Sequence, residues 1–239
     1  HKNGILQYEL FLRYYSLALR RSGYPFWHQT IGSCMAVRAD TYQKMGGMNK
    51  RKAGEDFYFM HKLMPVCDVG TIYNTVNQLS PRISDRVPFG TGKAMETWSR
   101  NKTGILYTYH PEIFREIQLF ISNILNIESV ELWLKDSKAN LKNNLVNTYF
   151  EKINAWETIT LIDQNTTSIY EFKKRFFQWF NGFRMLKFVH WARDNYYMNI
   201  PIAQAVEVLL GIDLQYFNKD ETLEKLLQLI RVVDSSELN

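Results

Sequence analysis

A chain of 239 residues with 46% hydrophobic and 15% aromatic content holds enough apolar surface for one large core or two modest ones, which excludes a disordered segment. The net charge of +5 is modest for this length and spread along the chain, so it favours anionic partners such as a nucleotide diphosphate or an acidic membrane face without demanding nucleic acid. The apolar runs at 114–127 and 203–212 are interrupted by polar residues and fall short of the roughly 18 residues that a membrane span requires.

Residues 5–21 place Leu6, Leu10, Tyr14, Leu17 and Ala18 on one helical face with Arg13, Arg20 and Arg21 outside it, and Gly23 and Pro25 end that helix. Residues 31–37 read as a strand, 40–45 as a short helix stopped by Gly46-Gly47, and 55–64 as a helix stopped by Pro65. Residues 66–76, rich in Val, Ile, Thr and Tyr, predict one or two further strands. Helical periodicity then dominates, over 91–100, 111–126, 130–161, 169–180, 183–195, 202–210 and 221–233. Pro111 and Pro201 stand at helix starts, where a missing N–H costs nothing. Short turns at Asn181-Gly182 and Asn199-Ile200-Pro201 suit a bundle. The expected fold is α+β and mostly α: residues 1–105 with a few strands and flanking helices, then an all-α bundle over 106–239.

The two cysteines, Cys34 and Cys67, lie in strand-like apolar segments with no His or Cys at ligand spacing, so they read as buried thiols of a reducing compartment. His28, His61, His110 and His190 stand singly and imply no metal site; they read as surface or capping residues. His61 follows Asp56 by five residues, about one and a half helical turns, and so points away from it.

Gly54-Glu55-Asp56-Phe57 sets two acids behind a helix-breaking glycine and ahead of the apolar positions Phe57, Met60, Leu63 and Met64. Both carboxylates then fall in the first helical turn, where the positive end of the helix dipole favours an ionised acid and a buried face fixes its direction. Acids in that position also serve helix stability alone. The segment Gly32-Ser33-Cys34-Met35-Ala36-Val37-Arg38-Ala39-Asp40-Thr41-Tyr42, followed by Met45-Gly46-Gly47-Met48 and Gly54-Glu55-Asp56, resembles the acceptor-side half of family 2 glycosyltransferases of the GT-A fold. The likeness covers residues 28–95. It implies a truncated GT-A acceptor-side subdomain and inverting transfer from a nucleotide sugar to an acceptor hydroxyl, glycan or lipid-linked. By that resemblance Asp56 is the catalytic base and Glu55 its orienting neighbour. It also implies a Mg²⁺ or Mn²⁺ ion held by an Asp-x-Asp motif in a preceding nucleotide-binding half, which the sequence does not contain. With no Met at position 1 and no signal pattern, the chain reads as lacking that half, inactive alone, and cytoplasmic, at the inner face of the membrane where acceptors are lipid-linked.

Residues 80–93 form a second candidate site, stiffened by Pro81 and Pro88 and opened by Gly90 and Gly92. Arg82, Arg86 and Lys93 are its expected grip on the leaving diphosphate, and a surface loop closed by ion pairs is the plainer alternative. Gly90-Thr91-Gly92-Lys93 fails as a phosphate loop because Val87 stands five before Gly92 and Ala94 follows the lysine. Phe172, Phe176, Trp179, Phe180 and Phe183 form an aromatic stripe beside Lys173, Lys174, Arg175, Arg184 and Lys187. It reads as bundle core, with an anionic membrane face as the alternative and single-stranded nucleic acid disfavoured for want of a strand platform. A different class of answer is a helical interaction or membrane-peripheral module that carries an inactive transferase remnant.

Overall fold

A computed structural model describes residues 2–50, 53–72, 75, 80, 82–83, 90–216 and 222–237. The described residues are mostly helical, as the helical periodicity predicts, with two two-residue strands at positions not read as strand. The helices α1 (Lys2–Arg21), α2 (Ala39–Lys44), α3 (Glu55–Leu63) and α4 (Thr91–Arg100) are followed by strand β1 (Tyr107–Thr108). Next come α5 (Pro111–Leu125), α6 (Val130–Ala139), α7 (Leu145–Lys152), α8 (Ala155–Gln164), α9 (Ile169–Trp179) and α10 (Gly182–Asn195). Strand β2 (Ile200–Pro201), α11 (Ile202–Leu210) and α12 (Thr222–Ser236) complete the order.

The chain divides into two compact units, one of His1–Leu17, His28–Tyr109 and Asn199–Asn239, the other of Ala18–Trp27 and His110–Met198. The division after Tyr109 lies near the expected boundary at 105, but the last forty-odd residues group with the first segment and not with the bundle. Strand pairing explains this. Instead of a plain turn at 199–201, β2 pairs antiparallel with β1, Tyr107 opposite Pro201 and Thr108 opposite Ile200. Ile202 N–H also donates to Leu106 O at 2.9 Å. α11 packs on α12. Within the same unit Arg231 grips Glu9 through Nε at 2.9 Å and Nη2 at 2.6 Å, and Arg13 Nη1 meets Asp234 Oδ2 at 3.0 Å. Tyr14, fully buried, donates its hydroxyl to Tyr109 O at 2.9 Å.

The second unit is a helical bundle with an aromatic core. His110 caps α5, its Nδ1 accepting from Glu112 N–H at 3.2 Å with Pro111 in the first turn. The expected single helix over 130–161 is three helices and a 3-10 turn, because asparagines interrupt it. Asn144 accepts from Val146 N–H at 2.8 Å and opens α7, and Asn154 adopts a left-handed conformation (φ 53°) that breaks the chain before α8. Ser168 and Asn181 cap α9 and α10 in the same way. Phe150 sits at the middle of the core, its ring 5.1 Å from Phe180, 5.4 Å from Phe120 and Trp179, and 5.6 Å from Trp156. Tyr24, also in this unit, donates its hydroxyl to Phe180 O at 2.9 Å.

The predicted aromatic stripe divides. Phe172, Phe176 and Phe180 are wholly buried, as the core reading expects, and Phe177 joins them; Trp179 is half-buried and Phe183 is exposed. Residues 31–37 do not form a strand. Gly32–Cys34 is a 3-10 turn between extended residues Ile31 and Met35, and no neighbouring strand among the described residues completes a ladder with it. The expected strands within 66–76 lie partly outside the described residues, and the described ones join no sheet. Neither cysteine is therefore buried in a strand: Cys34 is exposed and Cys67 half-buried, and neither is in a disulfide.

Candidate functional site

α3 begins where Gly54 takes the left-handed conformation (φ 76°), a turn that favours glycine, and this buried residue launches Glu55 and Asp56 into the first helical turn. Phe59, Met60 and Leu63 are buried and set the rotation of the helix. Asp56 is consequently held half-buried and faces the turn at Gly32. Its Oδ2 accepts the Gly32 N–H at 2.8 Å, and its Oδ1 accepts the Phe57 N–H at 2.7 Å. A carboxylate has about four lone-pair sites, so two acceptor positions remain for a substrate hydroxyl or water.

Gly32 is required by this contact for a steric reason. A Cβ there would lie 2.8 Å from both Cβ and Oδ2 of Asp56, well inside van der Waals separation. The two sequence segments singled out as a pattern, 32–38 and 54–56, are thus in direct contact through a backbone N–H and a carboxylate. Glu55 is half-buried and has no hydrogen-bond or ion-pair partner among the described residues, so Asp56 is the oriented acid of the pair and Glu55 the unengaged one.

Tyr8 of α1 joins this acid from a distance of nearly fifty residues in sequence. Its phenol is hydrogen-bonded to the Thr91 side chain at the start of α4, and burial, with the Asp56 charge adding to it, raises its pKa above the ordinary tyrosine value. Nothing in the sequence marked Tyr8: it is one more aromatic on an amphipathic helix, and only packing sets its hydroxyl on Thr91, within the field of the acid. Its ring stacks on Phe11, with centroids 6.3 Å apart.

Of the three cations expected to grip the leaving diphosphate, two lie among the described residues. Lys93, in the first turn of α4, turns its ammonium to Glu96 Oε2 at 2.7 Å, and Arg100 Nη2 takes the other oxygen at 2.6 Å. Arg82 is exposed, and Arg86 lies outside the described residues. His61 packs edge-on against Phe57, ring centroids 4.4 Å apart, and burial lowers its pKa to about 4, so the imidazole is neutral at pH 7. Its Nδ1 is buried with no hydrogen-bond partner among the described residues. Among the described residues no three His, Cys, Asp or Glu side chains are grouped as a metal ion would need.

No helix among the described residues is long and apolar enough to cross a membrane. Comparison with protein-family models, curated proteins and solved structures yields no match to this chain.

Proposed function

We propose that this chain carries the acceptor-side part of a nucleotide-sugar-dependent glycosyltransferase of the family 2 type, with Asp56 as its general base. The observation that supports this reading is the 2.8 Å hydrogen bond from Gly32 N–H to Asp56 Oδ2, which joins the small-residue segment to the acidic helix start. A base has to be aimed as well as basic, and the two backbone donors fix the plane of the carboxylate while leaving lone pairs open.

In the proposed reaction an acceptor hydroxyl, of a glycan or a lipid-linked sugar, attacks the anomeric carbon as the C–O bond to the nucleoside diphosphate breaks, with inversion. Asp56 takes the hydroxyl proton. Base catalysis of this kind supplies roughly two to four orders of magnitude in rate. A divalent cation, Mg²⁺ or Mn²⁺, stabilises the leaving diphosphate in such enzymes. On this reading Arg82, Arg86 and Lys93 grip the leaving diphosphate, Lys93 exchanging its surface pair with Glu96 for the anion.

The test is nucleoside diphosphate release from a panel of nucleotide sugars by the full-length protein and by Asp56→Asn. Turnover falls at least a hundredfold on this reading, with donor binding unchanged, because the base acts in the chemical step. Turnover within threefold of the parent removes Asp56 from the role.

A helical interaction module with an inactive remnant is the second reading. It is favoured by the same two hydrogen bonds, since a carboxylate that latches Gly32 to α3 is useful without chemistry. A parent protein that releases no diphosphate from any nucleotide sugar, and whose Asp56→Asn variant loses only stability, decides for the module.

A further inference from the structure

The outer surface of α9 and the start of α10 carries charge that the proposed chemistry does not use. Between Ser168 and Lys187 stand five cations, Lys173, Lys174, Arg175, Arg184 and Lys187, against one acid, Glu171. That acid is turned back to the helix start, where an Oε accepts from Thr167 N–H at 3.2 Å and from its hydroxyl at 3.0 Å. Two of the cations are committed locally: Lys173 Nζ donates to Leu125 O at 2.6 Å, and Arg184 Nη1 donates to Trp179 O at 2.7 Å while its guanidinium lies 5.0 Å from the Trp179 ring centre.

Lys174 and Arg175 are exposed and form no ion pair with any described residue. They border a shallow, open depression of about 450 Å³ together with Tyr170, Glu171 and Gln178. Tyr170 is 75% exposed in the midst of this charge. In the first turn of α10, Phe183 is 36% exposed and Lys187 Nζ stands 4.5 Å from its ring centre. The inward face of α9 is filled by Phe172, Phe176 and Phe177, so the helix has no apolar side left to embed.

We propose that this cationic face, edged by Tyr170 and Phe183, docks on an anionic lipid surface. Clusters of four to eight Lys and Arg on an amphipathic helix are attracted to acidic membranes, and amphipathic rings settle at headgroup level. Charge complementarity selects the occupant. Lys174 and Arg175 stand side by side on the exposed face of α9, beside an open depression, where an anionic headgroup plane meets both. Contact is peripheral and electrostatic, because the large apolar side chains of α9 remain in the core. This inference stands independently of the transferase reading, since none of its residues belongs to the Asp56 site.

The test is co-sedimentation of the full chain with vesicles of phosphatidylglycerol and phosphatidylcholine, against vesicles of phosphatidylcholine alone. Binding to the acidic vesicles only, weakening as salt rises, is expected. The double change Lys174→Gln, Arg175→Gln weakens it roughly 25-fold, at about fivefold per cation. The control Lys135→Gln, Lys138→Gln on α6 removes the same charge from another surface and leaves binding within threefold. Thermal unfolding checks that both variants keep the parent fold. Equal binding to neutral vesicles, equal loss in the control pair, or binding to single-stranded polynucleotide or acidic peptide without vesicle binding overturns the proposal.

Discussion

Replacing Phe176 by Ala empties a position that is wholly buried and ringed by other aromatics. The rings of Phe177, Trp179, Phe180, Phe120, Phe172, Trp133 and Phe150 have their centres between 5.4 and 6.2 Å away. Phe-to-Ala changes in cores cost about 3 to 5 kcal/mol, and the cost is highest where neighbours cannot collapse into the space. Rigid rings packed tilted or edge-on around the position are poor at collapsing, so a loss of about 4 to 5 kcal/mol is expected here. For the roughly 100 residues of Ala18–Trp27 and His110–Met198 that loss lowers the melting temperature by roughly 20 °C or more. Urea unfolding followed by far-UV circular dichroism gives the free energy, and tryptophan fluorescence reports the same cluster through Trp133, Trp156 and Trp179. A loss below about 1 kcal/mol with an unchanged denaturant slope refutes the packing argument. A stable Phe176→Ala protein that no longer sediments with acidic vesicles refutes it in another way, by making Phe176 part of the lipid face.

Gly32→Ala places a methyl group 2.8 Å from Asp56 and breaks or stretches the Gly32 N–H bond; about 1 to 3 kcal/mol of stability is lost on urea unfolding. Adding Asp56→Ala removes the clashing oxygen but keeps the Cβ, so the two losses should combine to less than their sum, and strict additivity would count against the contact. His61 supplies a pH dependence. Its folded pKa of about 4 lies below the ordinary value near 6.5, so the folded state prefers the neutral ring: the contribution is complete above pH 6.5 and is lost as pH falls towards 4. That loss amounts to about 3 kcal/mol, and His61→Phe should flatten it in urea midpoints measured across this range. A His61 ring that titrates near 6.5 by NMR removes the basis of the claim.

Helix starts were the most legible part of the sequence, because capping chemistry is local. Pro111 and the Gly54-Glu55 step each announced an end that packing then used. The bundle core was legible for the same reason: Phe172, Phe176 and Phe180 recur at helical spacing, and that period leaves one face to bury. The Asn-rich stretch 140–154 misled, since its apolar residues keep helical phase through two breaks made by asparagine backbone and side chains. Residues 31–37 misled differently. Their composition favours extended backbone, which Ile31 and Met35 adopt, but a strand also needs a partner, and composition carries no information about that. At the candidate site the acidic helix start was readable and its neighbours were not. The Gly32 contact spans 24 residues and Tyr8 is farther still, and such approaches follow from packing alone.

The pairing of Tyr107 with Pro201 and Thr108 with Ile200 bears on the order in which the chain acquires its structure. Bringing those ends together while the ninety or so residues between them are unstructured costs about 4 kcal/mol of chain entropy, more than so short a ladder returns. The helices between them are built from contacts close in sequence, which form early. Once they have collapsed around Phe150 and Phe176, their two ends are delivered near each other and most of that entropy has already been spent. Completion of the β1–β2 ladder, and with it the docking of α11 and α12 into the first unit, is therefore a late event that waits on the helical insert.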